Sequence, residues 1–421
     1  MTLPLHGVKV LDLTRWLAGP FCTTILGDLG ADIAKVEPTG TGDLIRSWGP
    51  FDRGISVYYL SVGRNKRSLA VNFRDARGLA LIREMALRAD VVVENFKPGA
   101  MEEMGLGFAE LRKDNPRLIC ARVTGMGSKG PRASWRSVDQ IAQGMSGIMS
   151  ITGTDESSPT RVGIPLGDLV SGMWTAIGVQ AALAQRQKTG AGQIVETSLL
   201  GGLVSLLCVQ GQRYLSLGEI PVPIGNDHPS ISPYGAFRAR DGLFNIGVAN
   251  EKMWRDLCRC ISQPQLPSDE RFKTNDLRVA NRADLSSALD AAFKSRSKTE
   301  WIDMLVDVGI PAGPISNMAE VMSDPQILAN GLIESVTHGK LGEISLIGSP
   351  LRFDSHLEGS IRLAPPEIGE HSDALLADYG IGKERIDQLK KASIVESMHS
   401  DGGGCPGALS KTSAGPAPSA R

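Results

Sequence analysis

The sequence predicts an α/β protein: a large domain built on a doubly wound, mostly parallel sheet, with a smaller α+β domain beside it. Three observations point there. Segments rich in Val, Ile and Leu alternate with amphipathic helical segments through the first half, the pattern of a sheet covered on both faces. A stretch dense in proline and glycine, PVPIGNDHPSISPYG, then breaks the regularity near 217–230. The 421 residues also exceed what one compact core usually holds.

In GVKVLDLT the apolar Val8 and Val10 stand two apart, a strand spacing, and Gly19-Pro20 opens a helical stretch with Phe21, Ile25, Leu26 and Leu29 on one side. ADIAKVE reads as a short strand. Leu69, Val71 and Phe73 alternate, a helix runs from Ala76 to Leu87, and ADVVVENF is a buried strand. A short helix and the strand LICARVTG come next. From Asp168 to Gln187 the spacing is helical and largely apolar, with Gly190 and Gly192 able to end the helix. QIVETS is a strand and 197–216 another apolar helix. These elements make up the large domain, residues 1–216, with 217–230 as linker. Residues 231–325 form the smaller domain, with a hairpin FRARDGLFNIGV turning at Asp241-Gly242 and helices around Trp254, Leu285–Phe293 and Trp301–Val308. Residues 326–390 are of mixed structure. The tail, 391–421, is mostly Gly, Ser, Pro and Ala after Ser400 and is expected to be disordered.

A formal net charge of −1 gives no field that would draw the chain onto nucleic acid or an acidic membrane. Any anionic ligand must be held by local basic groups. The six cysteines (Cys22, Cys120, Cys208, Cys258, Cys260, Cys405) read as reduced thiols, because only Cys258 and Cys260 are close and C-x-C fits no common zinc or redox spacing. No metal is expected. MTLPLHGVKVLDL has no basic region leading into an apolar one, and Leu169–Ala184 carries Ser, Thr and Gln, short of a membrane span. The expected place is the cytoplasm, or an organelle matrix in a eukaryote.

Gly125-Met-Gly127-Ser-Lys-Gly130 matches G-x-G-x-x-G after a strand, but Pro131 follows at once and no apolar-faced helix opens, as a dinucleotide site requires. There is no G-x-S-x-G and no H-x-x-x-H. Val162-Gly-Ile-Pro-Leu-Gly-Asp168 says more. An aspartate after glycine and before an apolar helix reads as an N-cap, and the same place can hold a carboxylate as an anion ready to attack.

The blocks VLDLTRWLAGPFC, LGDLGADIAKVEP, NKRSLAVNF, ADVVVENFKPGAMEEMGLG, NPRLICARVTGMGSKGP, QIAQGMSGIMSITG, GIPLGDLVSGMWTAIGVQAAL and KTGAGQIVETSLL run in order along the chain. GNDHPSISPYGAF, GIPAGP and APPEIGEHS follow them. Together they resemble the class III CoA-transferase family, the group with formyl-CoA and carnitine CoA-transferases, over residues 1 to about 385. The resemblance implies an enzyme that moves CoA from an acyl-CoA donor, such as succinyl-CoA, to a carboxylic acid, with Asp168 as the nucleophile. CoA and its esters would then be substrates, with no permanently bound cofactor. It also implies CoA contacts at Leu17 and Ala18, at Val71, Asn72, Phe73 and Arg74, at Asn95, Phe96 and Lys97, and at Arg136, Ser137, Val138 and Asp139. Phe96 would pack on adenine, and Arg74, Lys97 and Arg136 would offset phosphate charge. Finally, it implies an interlocked homodimer in which residues 326–390 return to complete the large domain.

Three positions depart from the family pattern. Val138 stands where an aromatic often flanks the thioester, Glu103 where a basic residue is common, and Gly225-Asn226-Asp227-His228-Pro229 where formyl-CoA transferases carry a glycine-rich loop. Oxalate and formyl-CoA are therefore poor matches. Arg161, shortly before the nucleophile, favours a dicarboxylate acceptor. Two alternatives are an α-methylacyl-CoA racemase-like enzyme and a non-catalytic CoA-ester binding protein. The first lacks its upstream base, since no histidine occurs between His6 and His228. The second leaves a carboxylate at 168 without purpose.

Overall fold

The computed structural model describes residues 2–354 and 359–398. Its main sheet contains six parallel strands: β1 (Lys9–Asp12), β2 (Asp32–Pro38), β3 (Lys66–Val71), β4 (Val91–Glu94), β5 (Ile119–Thr124) and β6 (Ile194–Ser198). Their spatial order is β3-β2-β1-β4-β5-β6, every neighbouring pair parallel. The chain winds outward from β1 to β3, crosses back to β4 and winds outward the other way. The reversal lies between β1 and β4, and open α/β sheets bind ligands in the crevice outside the carboxyl ends at such a point.

Successive strand residues face opposite sides. Val10, Val91, Val93, Ile119 and Ala121 enter one core, and Leu11, Val92 and Cys120 the other. The first core is closed by Cys22 and Leu26 of α1 (Ala18–Asp28) together with Ala176, Val179 and Ala182 from the long helix after residue 165. The second is closed by Leu81, Ile82 and Met85 of α2 (Ala76–Arg88) and by Leu375 and Leu376. A sheet covered on both faces explains the near-continuous apolar runs.

After β5 no helix follows the glycine motif until α3 (Asp139–Met145), so the phosphate-cradling geometry of a dinucleotide site is not built there. The long helix is α4 (Leu166–Thr189), closed by Gly190 at φ +73°, a left-handed cap that glycine adopts without strain. The single helix expected over 197–216 is two, α5 (Leu199–Ser205) and α6 (Cys208–Leu217). Among the described residues no helix is long and apolar enough to cross a membrane.

Beyond the Pro/Gly break, Tyr234–Ala239 and Gly242–Gly247 form the expected hairpin, which continues into Ala312–Pro314. Its two turn residues are Arg240 and Asp241, because Gly242 already pairs with Ala239. A separate aromatic core packs on it, with the Phe293 ring 5.1 Å from Phe244 and 5.3 Å from Trp301, edge to face.

The chain then returns to the main sheet. Buried Asn65 docks it: its Oδ1 accepts the N–H groups of Arg362 (2.7 Å) and Leu363 (3.1 Å), and its Nδ2 donates to Asp28 and to the Ser360 carbonyl. Residues 391–398, expected to begin a disordered tail, are instead structured. A helix runs to Lys391, and Val395–Glu396 pairs antiparallel with β3 at the sheet edge. The rest of that expected tail, 399–421, and Cys405 with it, lies outside the described residues.

Candidate active site

The crevice between β1 and β4 is bounded by residues 13–17, and buried charge fixes their path from below. Asp12, fully buried at the end of β1, accepts the Thr14 N–H (2.9 Å) and hydroxyl (2.5 Å) on one oxygen. Its other oxygen accepts the Thr23 hydroxyl (2.5 Å) and Lys66 Nζ (3.3 Å). Lys66 also donates to the Pro20 carbonyl in the first turn of α1 (2.8 Å), while Lys35 pairs with Asp43 (2.8 Å) and reaches the Thr14 carbonyl. Burial alone would raise Asp12, but Lys35, Lys66 and the two threonines outweigh it and hold the carboxyl below its ordinary value. Burial pushes Lys66 down to about 8.

Asn95 ties the loop from the β4 side. Its Oδ1 accepts the Arg15 N–H (2.8 Å) and its Nδ2 donates to the Arg15 carbonyl (2.7 Å). This two-way bond bridges the crevice floor and leaves Trp16 at φ +66°, a strained conformation for a bulky residue. Arg15 was not legible as a site residue. Its guanidinium lies 4.8 Å from the Phe96 ring and 6.0 Å from that of Phe73, and among the described residues it has no hydrogen-bond or ion-pair partner.

Asp168 is not the N-cap. Helix α4 starts at Leu166, Pro165 holds the cap position with no side-chain bond, and Asp168 stands in the first turn. The cap is supplied from a distance: Asp139 Oδ1 accepts the Gly167 N–H at 2.7 Å. Among the described residues the Asp168 carboxylate accepts no hydrogen bond and faces no cation. Burial, and secondarily the Asp139 charge, push it up to about 7. One turn further along, Gly172 lets α4 approach α1 closely: a Cβ there would stand 2.7 Å from the Ala18 carbonyl oxygen. Asp168 is thereby brought to the N-terminal end of α1, where Leu17 and Ala18 lie.

The other expected contacts lie in loops after the carboxyl ends of β1, β3, β4 and β5, the edge on which the crevice opens. Several have their side chains committed elsewhere. Val71 is fully buried in the core and opposite Val395. Asn72 Oδ1 accepts the Arg74 N–H (3.0 Å), and the Asn95 amide is taken by Arg15. Asp139 points inward to Gly167 and Gln143, so its carboxylate is not available to a ligand. Lys97 is paired with Glu103 at 3.3 Å, both exposed, so the acidic residue at 103 competes for the cation meant for phosphate. Phe73 and Phe96 pack their inner edges on the main core. Arg74 and Arg136 are exposed, Val138 is 62% exposed, and the Ser137 hydroxyl donates to the Val138 carbonyl. Arg161 is exposed. His228 accepts the Ser230 N–H on Nδ1 and stacks on Tyr234, in a loop joined to the Asp168 side through the Gly225 N–H bond to the Gly153 carbonyl. Among the described residues no three His, Cys, Asp or Glu side chains are gathered to hold a metal.

A model of CoA-transferase family III matches residues 5–372. Succinyl-CoA:glutarate CoA-transferase of Mus musculus is 41% identical over 93% of this chain and 90% of its own length, and that of Homo sapiens is 39% identical over the same shares. The crystal structure of a CaiB/BaiF family protein from Brucella suis superposes with a TM-score of 0.81 at 36% identity, covering 90% of this chain and all of that one.

Proposed function

The chain belongs to CoA-transferase family III, and from that premise we propose that it moves CoA from an acyl-CoA donor, succinyl-CoA first, to a dicarboxylate acceptor through covalent intermediates on Asp168. The observation that carries this reading is the state of that carboxylate. It is half-buried, raised to about 7, and without a hydrogen-bond donor or cation among the described residues. An anion so poorly stabilised is a better nucleophile than a solvated one. The names of the relatives support a dicarboxylate.

One Asp168 oxygen attacks the thioester carbonyl, the C–S bond breaks, and CoA thiolate leaves a mixed anhydride. The thiolate then attacks the Asp168 carbonyl, expelling the donor carboxylate and forming an aspartyl-CoA thioester. The acceptor carboxylate attacks that thioester to give a second anhydride. The thiolate takes its acyl carbon, yielding the new acyl-CoA and free Asp168, with no net proton change. Each tetrahedral intermediate carries an oxyanion, and the Asp168 N–H, unpaired among the described residues, is one donor within the same turn. CoA would lie across the 17–18, 72–74, 95–97 and 136–138 loops, with Arg15 added to the basic groups that meet its phosphates.

Supplying succinyl-CoA with a panel of short carboxylates, and resolving products by mass spectrometry, tests the proposal. New acyl-CoA species are expected from wild type and none from Asp168→Ala. Equal product from both would end the nucleophile assignment.

The reading includes a homodimer and a cytoplasmic or organelle-matrix setting. It also includes two domains, the main sheet with residues 326–390 and the aromatic-cored unit between. Helix α6 supports the dimer. It buries none of its residues, and Val209, Tyr214, Leu215 and Leu217 lie bare on it beside Ile220. A helix with an apolar face needs a surface to cover it. Sedimentation should give twice the chain mass for wild type and the single mass for Leu215→Asp/Leu217→Asp. A monomeric wild type would refute it.

A further inference from the structure

We propose that Gln143 is a positioning residue for Asp168, acting through a buried hydrogen-bond relay whose polarity requires a carboxylate at position 139. The inference rests on the reading of Asp168 as the nucleophile.

Gln143 is fully buried in α3, four residues after Asp139 on the same face. Its Oε1 accepts the Val162 N–H at 2.9 Å. Its Nε2 donates to the Ile164 carbonyl at 3.3 Å and to Asp139 Oδ2 at 2.7 Å. The two backbone groups determine which way the amide points. Flipping it would set NH₂ against the Val162 N–H and oxygen against the Ile164 carbonyl. The orientation therefore follows from the chain and is not a choice between equivalent placements.

That orientation dictates what stands at 139. Gln143 presents a donor to Asp139 Oδ2, and the Gly167 N–H presents a donor to Asp139 Oδ1. Both oxygens must accept, which a carboxylate does and an asparagine amide cannot. One side chain thus holds the segment leading into α4 at Val162 and Ile164, and through Asp139 it holds the first turn at Gly167, next to the nucleophile. The relay is buried and each of its groups is partnered, the condition under which such a network stiffens what it holds. It makes no contact with the loops after β3 and β4, where most of the CoA contacts lie.

The consequence is a division of labour. Loss of the relay should loosen the aim of Asp168 and spare CoA affinity. An error of about 1 Å in a reacting group costs on the order of 100-fold in rate. Gln143→Met, close in shape and without polar atoms, should lower kcat by about 30–100-fold with KM for the CoA ester within about threefold. Asp139→Asn should do the same, because its amide opposes a donor. The exchange variant Asp139→Asn/Gln143→Glu restores a donor–acceptor match between the two side chains and still accepts the Val162 and Gly167 N–H groups. It gives up only the longer bond to Ile164. It should recover at least tenfold of the kcat lost in Asp139→Asn.

Steady-state kinetics on these variants and Asp168→Ala, with circular dichroism to confirm folding, decide the matter. An inactive Asp168→Ala with unchanged Gln143→Met kcat overturns the positioning role. So does a double variant whose losses multiply instead of cancelling, or a KM that rises as far as kcat falls. An active Asp168→Ala overturns the nucleophile reading itself.

Discussion

Replacing Asp168 with asparagine is expected to lower kcat by about 10⁴-fold or more and, at pH 8, to make the folded protein more stable. The loss follows from removing the group that becomes acylated, since an amide of the same shape cannot form the anhydride. The gain follows from the environment that makes the carboxylate reactive. Below about pH 4 the carboxyl is neutral in the folded and unfolded chains alike, and it costs the fold nothing. As pH rises the unfolded carboxyl ionises near 3.8, whereas in the fold burial and then Asp139 delay ionisation to about 7. Stability is lost across that window, and the full penalty applies above it. The rise corresponds to ~4 kcal/mol for a wholly buried group, and Asp168 keeps part of its water, so about 2 kcal/mol is expected. Urea unfolding of wild type and Asp168→Asn at pH 4 and pH 8 should show the gap opening only at the higher pH. In wild type, kcat/KM should rise with pH through an apparent pKa near 7. A variant no more stable than wild type at pH 8 would mean the carboxylate is better solvated than its surroundings indicate.

The other large effect concerns the floor of the crevice. Asp12→Ala should cost about 3–5 kcal/mol, because it strands Lys66 and Lys35 without their shared anion in a fully buried site. The same anion organises Thr14 and Thr23, so residues 13–17 and the start of α1 lose their anchor with it. Because the Asp12 carboxyl is held below its ordinary value, its contribution is present above about pH 4 and fades as pH falls through the depressed value. Chemical unfolding at pH 7 measures the loss directly. A cost under ~1 kcal/mol would show that water enters and replaces the aspartate.

The contrast between these two aspartates shows what was legible in the sequence. The strands were, because a sheet covered on both faces needs apolar residues at consecutive positions, and runs such as VVVE record that locally. The end of α4 was legible too, since a left-handed cap calls for glycine and Gly190 supplies it. Asp168 read as a cap because glycine precedes it and an apolar helix follows. The actual cap comes from Asp139 in another helix, and nothing in the neighbourhood of 168 announces a partner so far away. The same limit applies to Asn95 and Asp139, whose residue types suit ligand contact but whose side chains are engaged by Arg15 and Gly167. Arg15 was missed for the opposite reason: an arginine near the N-terminus gives no sign that two phenylalanines from distant loops will lie beside it. The strand Val395–Glu396 was missed because two residues carry no periodicity.

That short strand bears on how the protein is made. Strand β3 emerges early in synthesis, yet the neighbour that covers its outer edge comes more than three hundred residues later, as do the Arg362 and Leu363 N–H groups that satisfy Asn65. Until nearly the whole chain has left the ribosome, β3 presents a row of open backbone donors and acceptors, an invitation to pair with another nascent chain. Closing a loop of that length is also slow, because contacts distant in sequence form late. The last ordered residues thus act as a latch, and a chain truncated before Val395 would be prone to aggregate even though every residue of its crevice had been synthesised.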